Sequence, residues 1–161
     1  MPFTPVHLGP GAFFKGIGGD RFSFMVFGGS QVLMDIEPGY RMIVQDPIVH
    51  GPSHTLAGAL VIGLIATASG KPISEFVLRL LRYPKATMSW AAAAAGAFAG
   101  TFSHILLDGI MHTDMMPWWP LSESNSLLGV ISIDSLHIIC LVLGIIGAVL
   151  FYVSDRRSQP N

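Results

Sequence analysis

The longest apolar stretch of the chain covers residues 127–153 and can cross a membrane as a single helix. Polar residues interrupt it only near its start, at Ser132, Asp134, Ser135 and His137. As a helix these 27 residues would rise about 40 Å, whereas the hydrocarbon core of a bilayer is about 30 Å thick. The whole chain is 51% hydrophobic and 12% charged, with a mean hydropathy of +0.57. This composition is too apolar for an ordinary soluble domain and predicts an integral membrane protein.

Three further apolar stretches predict additional helices, at residues 86–107, 55–69 and 22–34. The first of them contains Gly96 and Gly100, a small-residue face on which another helix can pack closely. Glycine and proline are dense before Gly19, which indicates a bent N-terminal segment. Residues 72–83 combine apolar side chains with arginines and indicate an amphipathic helix on the membrane surface. We therefore expect an all-α membrane bundle of about four apolar spans, forming one domain over residues 1–161.

The basic residues indicate how the spans are oriented. If the spans alternate in direction, eight of the nine lysines and arginines fall on one side of the membrane. These eight are Lys15, Arg21, Lys71, Arg79, Arg82, Lys85, Arg156 and Arg157. By the positive-inside rule this side, together with the C-terminus, is cytoplasmic. The net charge of −1 provides no overall basic field, so nucleic acid is not an expected partner.

The densest polar cluster lies at the end of the stretch 86–107 and contains His104, Asp108 and His112. Side chains spaced by four residues drift only about 40° per step around a helix, so these three share one face. Imidazole and carboxylate groups are costly inside a membrane and usually have a function there. The spacing therefore predicts that His104 and Asp108 bind a metal ion. Beyond Gly109 the helix can bend, so His112 can bind this ion, bind a second ion or act as an acid.

Other polar residues fall at the same outer ends of the spans. Pro52 suits a first helical turn, which places His54 at the entrance of the stretch 55–69 and His50 in the loop before it. Pro38 is expected to end the helix of residues 22–34. If the spans alternate in direction, these residues come together on the outer face with His7, Asp35, Glu37, Asp46, Asp114 and Asp134. If they form one site, we expect His54 within about 10 Å of the Asp108 carboxylate.

Several of these motifs, in this order, resemble a known family. They are residues 1–11, Asp35-Ile36-Glu37-Pro38, His50-Gly51-Pro52-Ser53-His54-Thr55, residues 103–112 and Pro117-Trp118-Trp119-Pro120. The chain resembles the LexA-regulated, inner-membrane-associated metal-dependent hydrolases, a group remotely similar to zinc phospholipase C and P1 nuclease. The resemblance implies a compact bundle in a prokaryotic inner membrane with a His/Asp metal centre. The ligands that it implies are His7, Asp35, His50, His54, His104 and Asp108.

These residues support the hypothesis of hydrolysis by metal-activated water. Mixed imidazole and carboxylate ligands favour one or two zinc ions, although manganese or iron would accept the same ligands. A site at the outer interface could meet a phospholipid or another lipid-linked phosphoester. Trp118 and Trp119 would then lie at headgroup level, and Arg41 could contact a phosphate. The candidate acid–base residues are His112, Asp46 and Asp114, and their spacing does not choose among them.

Two other classes of function remain open at the level of the sequence. The same ligands could belong to a non-catalytic protein that binds or transports a metal, or they could hold a structural ion. A transporter needs polar residues along the middle of its spans, whereas residues 92–99 and 141–150 contain none. The chain also lacks the Gly-x-Ser-x-Gly elbow, the His-Glu-x-x-His pair and the Walker loop, which excludes the commonest serine hydrolases, zincins and nucleotide hydrolases.

Overall fold

The computed structural model describes residues 5–84 and 86–158, and five α-helices account for most of them. Lys85, one of the predicted inner-side basic residues, lies outside the described chain, as do residues 1–4, residues 159–161 and the side chain of Arg157. The helices are α1 (Leu8–Gly18), α2 (Phe24–Ile43), α3 (Leu56–Leu80), α4 (Trp90–Met111) and α5 (Ile133–Ser158). Short 3-10 turns cover Pro5–His7, Gly19–Arg21 and Pro52–His54. No strand occurs in these ranges, so the predicted all-α class is confirmed.

Three of the helices are long and apolar enough to cross a membrane. They are the segments Leu56–Leu80, Trp90–Met111 and Ile133–Ser154. The fourth apolar stretch, residues 22–34, forms the first half of α2, whose second half carries the charged residues Glu37 and Arg41. The protein is thus a small helical membrane bundle.

Hydroxyl side chains fix where three of the helices begin. Ser23 accepts a hydrogen bond from the backbone N–H of Val26 at the start of α2, and Thr55 and Ser89 do the same for α3 and α4. Each hydroxyl satisfies an N–H group that has no partner within the helix. α3 begins at Leu56, so His54 lies just before the N-terminal end of this helix.

Two predicted helix boundaries were wrong, because Pro38 lies inside α2 and Pro72 lies inside α3. α2 continues through Pro38 to Ile43, although a proline leaves the carbonyl four residues earlier without its N–H partner. In α2 this carbonyl belongs to Met34, and the Ser53 hydroxyl donates to it at 3.4 Å. A partner from a distant loop thus replaces the hydrogen bond that Pro38 removes.

The second correction concerns residues 72–83, which do not form a separate surface helix. α3 passes through Pro72 and ends at Leu80. Side-chain ion pairs from Lys71 and Arg79 to Glu75, each four residues away, bridge this part of the helix. These local pairs favour helical continuity, and the predicted amphipathic segment is the end of a membrane span.

Glycines set the distances between the helices. A Cβ atom at Gly96 would lie 2.3 Å from the Ser23 carbonyl oxygen, and one at Gly100 would lie 2.0 Å from the Ser30 hydroxyl. α4 therefore packs closely on α2 along the predicted small-residue face. α1 packs in the same way on α5, where a Cβ atom at Gly9 would lie 1.9 Å from the Cys140 carbonyl oxygen.

Candidate metal centre

Polar residues from two α-helices and from the segments that flank the helices converge at one end of the bundle. α2 contributes Asp35, the loop before α3 contributes His50 and His54, and α4 contributes His104 and Asp108. His7 and His112 join them from the residues just before α1 and just after α4. Six of these seven side chains are at most 10% exposed, and His112 is 22% exposed. The sequence-predicted ligands therefore form one buried cluster.

The first group of donors consists of Asp35, His54, His104 and Asp108, with one donor atom of each within 4.8 Å of the others. His104 Nε2 lies 3.1 Å from Asp108 Oδ2 and 3.4 Å from Asp35 Oδ1. His54 Nε2 lies 3.5 Å from the same Asp108 oxygen, well inside the expected 10 Å. Two carboxylates and two imidazoles thus surround one small volume.

A second group shares Asp108 with the first. His50, Asp108 and His112 also bring donor atoms within 4.8 Å of one another. The second Asp108 oxygen, Oδ1, faces His112 Nε2 at 4.0 Å and His7 Nε2 at 3.7 Å. Asp108 therefore stands between two sets of nitrogen donors, an arrangement that suits a carboxylate shared by two ions.

Neighbouring side chains fix the orientation of three of the histidines. His104 Nδ1 lies 2.5 Å from Gln31 Oε1, His54 Nδ1 lies 2.9 Å from Ser53 Oγ, and His50 Nδ1 lies 2.9 Å from Asp114 Oδ1. In metal sites the second ring nitrogen of a ligating histidine usually makes such a hydrogen bond. In all three rings Nε2 is therefore the atom that faces the centre.

The same contacts determine which ring nitrogen carries the proton. The Gln31 amide nitrogen donates to the Gly100 carbonyl, so its oxygen accepts from His104 Nδ1. The Ser53 hydroxyl donates to the Met34 carbonyl and thus accepts from His54 Nδ1. The carboxylate of Asp114 is an acceptor, so His50 Nδ1 is a donor as well. In the neutral form, each of these rings then carries its Nε2 lone pair on the side that faces Asp108.

Positive charge at the middle of this cluster would satisfy its acceptors. His54 Nε2 and His104 Nε2 lie only 3.1 Å apart, next to two carboxylates. In addition, His7 Nδ1, His7 Nε2 and His112 Nε2 are buried without a hydrogen-bond partner. Buried polar atoms without partners are costly, and a divalent cation would satisfy lone pairs and carboxylates together. The residues present therefore fit a metal ion.

Three of the histidines outside the membrane spans favour their neutral form. Burial lowers the pKa of His7 to about 4, although the charge of Asp108 opposes the shift. Burial also lowers the pKa values of His54 and His112. At neutral pH these rings carry the free lone pairs that metal ligation requires.

Asp114, a predicted acid–base residue, contacts His50 and orients its ring. Its Oδ1 contacts His50 Nδ1, and its Oδ2 accepts from the backbone N–H groups of Val49 and His50. Burial alone would raise the pKa of Asp114, but these hydrogen bonds lower it to about 2. Such an acid remains ionised and is a weak base at neutral pH.

Arg41 and Asp46 belong to a network that joins the end of α2 to the loop before His50. Arg41 Nε donates to Glu37 at 2.8 Å, and its NH1 group donates to Asp46 at 2.9 Å. Glu37 Oε2 in turn accepts from the backbone N–H of Ser53 at 2.7 Å. The predicted phosphate contact and the predicted base are thus paired with each other, and this network holds the loop that carries both histidines.

Trp118 and Trp119 are 41% and 46% exposed. They follow Pro117, whose carbonyl accepts from the backbone N–H of Leu56 at 2.8 Å, so they lie at the same end of α3 as His54. Trp118 Nε1 donates to Ser126 Oγ at 3.2 Å.

Sequence reasoning missed Gln31 and Ser53, which orient two of the histidines from outside the ligand set. It also gave no role to His137, whose Nε2 atom is buried without a partner.

The fold and the cluster together define a helical membrane protein with a buried His/Asp site suited to a cation. A family model described as YdjM inner membrane protein matches residues 22–160, so the chain belongs to this inner-membrane family. Asp35, the loop histidines and the α4 pair all lie within the matched range, whereas His7 precedes it. No curated protein and no solved structure matches the chain.

Proposed function

We propose that this protein is a membrane-bound metal-dependent hydrolase that acts on a phosphoester of a membrane lipid. The observation that carries the proposal is the convergence of three oriented Nε2 atoms on one buried carboxylate, Asp108. A single structural ion needs four ligands, whereas this cluster offers six donor residues besides His112. The donors beyond the four that one ion needs favour two ions and a catalytic site. Asp108 would bridge the ions.

The donor chemistry favours zinc over the harder divalent ions. Imidazole nitrogen is a good zinc ligand, whereas magnesium and calcium prefer oxygen. A bound zinc ion would lower the pKa of a water molecule to about 7 and stabilise negative charge on a phosphoryl oxygen. Manganese and iron accept the same ligands and belong in the same metal screen.

The residues around the centre divide the remaining tasks. His112 is the best candidate for moving a proton, because its side chain is 22% exposed and its Nε2 has no hydrogen-bond partner. Asp114 and Asp46 are poorer bases, since hydrogen bonds occupy both carboxylate oxygens of each. Their role is to position His50 and the loop that carries it.

The position of the centre in the bundle supports a lipid substrate and an outer-face site. The centre lies beside the first residues of α3, and Arg79 lies in the last turn of that helix, about 35 Å away by helical rise. The basic residues Lys71 and Arg79 thus occupy the opposite half of α3. By the positive-inside rule the metal centre would face the outer surface, at the depth of lipid headgroups.

Elemental analysis of the full chain purified in detergent tests the first step. We expect one to two equivalents of a transition metal, and its absence after metal-replete purification would overturn the proposal. Hydrolysis of phospholipids and of generic phosphodiesters tests the second step. His104→Ala should abolish both metal binding and hydrolysis while helix content stays unchanged. Loss of folding in this variant would indicate a structural ion, and metal-dependent ion flux into vesicles would indicate a transporter.

A further inference from the structure

An apolar groove of about 410 Å³ lies between α2 and α3 on the outside of the bundle. Its lining residues are Leu33, Ile36, Glu37 and Tyr40 of α2 and Ile62 and Ile65 of α3. On α2 these positions follow a spacing of three and four residues and form one continuous stripe. Its two polar residues, Glu37 and Tyr40, both lie towards the C-terminal end of that stripe.

The groove has the same depth in the membrane as the metal centre. Leu33 and Tyr40 are separated by about 10 Å of helical rise, and Asp35 lies between them on the same helix. On α3, Ile62 and Ile65 lie about 9 and 14 Å below Leu56 at the start of the helix. The apolar part of the groove therefore extends from the membrane interior up to the level of Asp35.

The polar end of the groove connects to the site through two contacts. Glu37 Oε2 accepts from the backbone N–H of Ser53, and Ser53 Oγ contacts His54 Nδ1. The loop also packs tightly here, because a Cβ atom at Gly51 would lie 2.1 Å from Glu37 Oε1. A molecule that fills the groove would thus end beside the loop that carries His54.

The surroundings of the groove indicate what fills it. Ile36 and Ile65 are 61% and 52% exposed, and Ile65 belongs to a candidate membrane span. In a bilayer such side chains contact lipid hydrocarbon. Tyr40 is 65% exposed at the polar end, where a tyrosine hydroxyl suits the headgroup level. An alkyl chain matches the apolar part, and a phosphate headgroup matches the depth of the polar end.

We propose that this groove binds one acyl chain of a phospholipid and places its phosphate at the depth of the metal centre. The inference rests on the proposed hydrolase function and identifies its substrate as a lipid that enters sideways from the bilayer. A soluble phosphoester would have no use for the groove.

Photocrosslinking tests the groove without requiring activity or bound metal. The probe is phosphatidylglycerol with a diazirine halfway along one acyl chain, added to the full chain in lipid nanodiscs. We expect labelling concentrated on residues 33–40, Ile62 and Ile65. In Ile65→Trp we expect a loss of about tenfold, because the indole excludes several methylene groups from the groove. Leu64→Trp is the matched control, since Leu64 is 63% exposed on the same helix outside the groove.

Ile36→Trp provides a second test from the opposite wall, in case the first variant folds poorly. Labelling that spreads evenly over all lipid-facing helices would overturn the inference. Equal labelling of the Ile65→Trp and Leu64→Trp variants would overturn it as well.

Kinetics separate a failure of the groove from a failure of the hydrolase proposal. In Ile65→Trp, kcat/KM for long-chain phosphatidylglycerol should fall about tenfold relative to that for a water-soluble nitrophenyl phosphodiester. An equal fall for both substrates contradicts the groove and leaves the hydrolase intact. If the native protein hydrolyses neither substrate, the hydrolase proposal fails, and the crosslinking result alone decides whether the groove binds lipid.

Discussion

The contact between α1 and α5 differs from the candidate metal centre in what holds it together. Between α1 and α5 the helices touch through backbone atoms, and a Cβ atom at Gly147 would lie 2.3 Å from the Ala12 carbonyl carbon. In the metal centre the contacts are polar, and buried acceptors surround Asp108. Close packing of small residues holds the first region, whereas the second brings together polar groups that could bind a cation.

The difference shows how a small membrane protein can carry a charged site. Lipid provides no hydrophobic drive for helices to associate, so α1 and α5 depend on close van der Waals contact between small residues. Asp35, His54, His104 and Asp108 all come from the α2–α4 part of the chain. Only His7, 3.7 Å from Asp108, depends on where α1 sits. Folding of the α1–α5 contact and binding at the four-residue group should therefore be separable.

Gly147→Leu should have the largest effect, because it places a bulky side chain where no Cβ atom fits. We expect a loss of about 3 kcal/mol or more in the free energy of unfolding, at the upper end of overpacking effects. Denaturation in detergent followed by circular dichroism measures it. Gly144→Ala is the control, because its Cβ atom would meet only Gly9 Cα, at 3.4 Å. Complete loss of metal from folded Gly147→Leu protein would show that the two regions are not separable.

Asp108→Asn should break the metal centre and spare the helix contact. The carboxylate faces donors from both groups, so we expect metal affinity to fall by more than about 100-fold, beyond the range for residues outside the ligand shell. Competition with a chelating dye measures this affinity. Asp134→Asn removes an exposed carboxylate near the start of α5 and should change nothing. Retention of metal in Asp108→Asn would rule out a bridging role for this residue.

Asp114→Asn should have an intermediate effect, since Asp114 acts through His50. The amide can no longer accept from His50 Nδ1 with full negative charge, and we expect metal affinity to fall about 10- to 100-fold. Isothermal titration with zinc measures the change. Glu123→Gln, in an exposed part of the loop before α5, is the control. An effect on hydrolysis without any effect on metal affinity would instead favour Asp114 as the general base.

Local patterns predicted the parts of the site that depend on helix geometry. Four-residue spacing placed His104 and Asp108 on one face, and the alternation of spans brought His54 to the same end. The structure places all three within hydrogen-bonding or ligand distance of one another. Their metal-binding role stays a prediction, because geometry shows only that the donors meet.

Long-range pairings explain what the sequence left out. Gln31 lies 73 residues from His104, its partner, and nothing in its own helix marks it as part of a site. Pro38 was expected to end α2, because the hydroxyl that compensates for it belongs to Ser53, 19 residues from Met34. Both features depend on which loop packs against which helix, and periodicity carries no information about that.

Arg41→Ala should have the smallest effect and decides between two roles for this residue. Arg41 forms ion pairs with Glu37 and Asp46, and all three side chains are about one quarter to one third exposed. Exposed ion pairs contribute little, so we expect metal affinity to fall by less than about fivefold. Arg41→Lys should restore much of this loss if Arg41 only steadies the loop, because the positive charge remains. A direct phosphate contact predicts a different result, a large rise in KM for phosphodiesters with metal affinity unchanged, and steady-state kinetics of the two variants separates the roles.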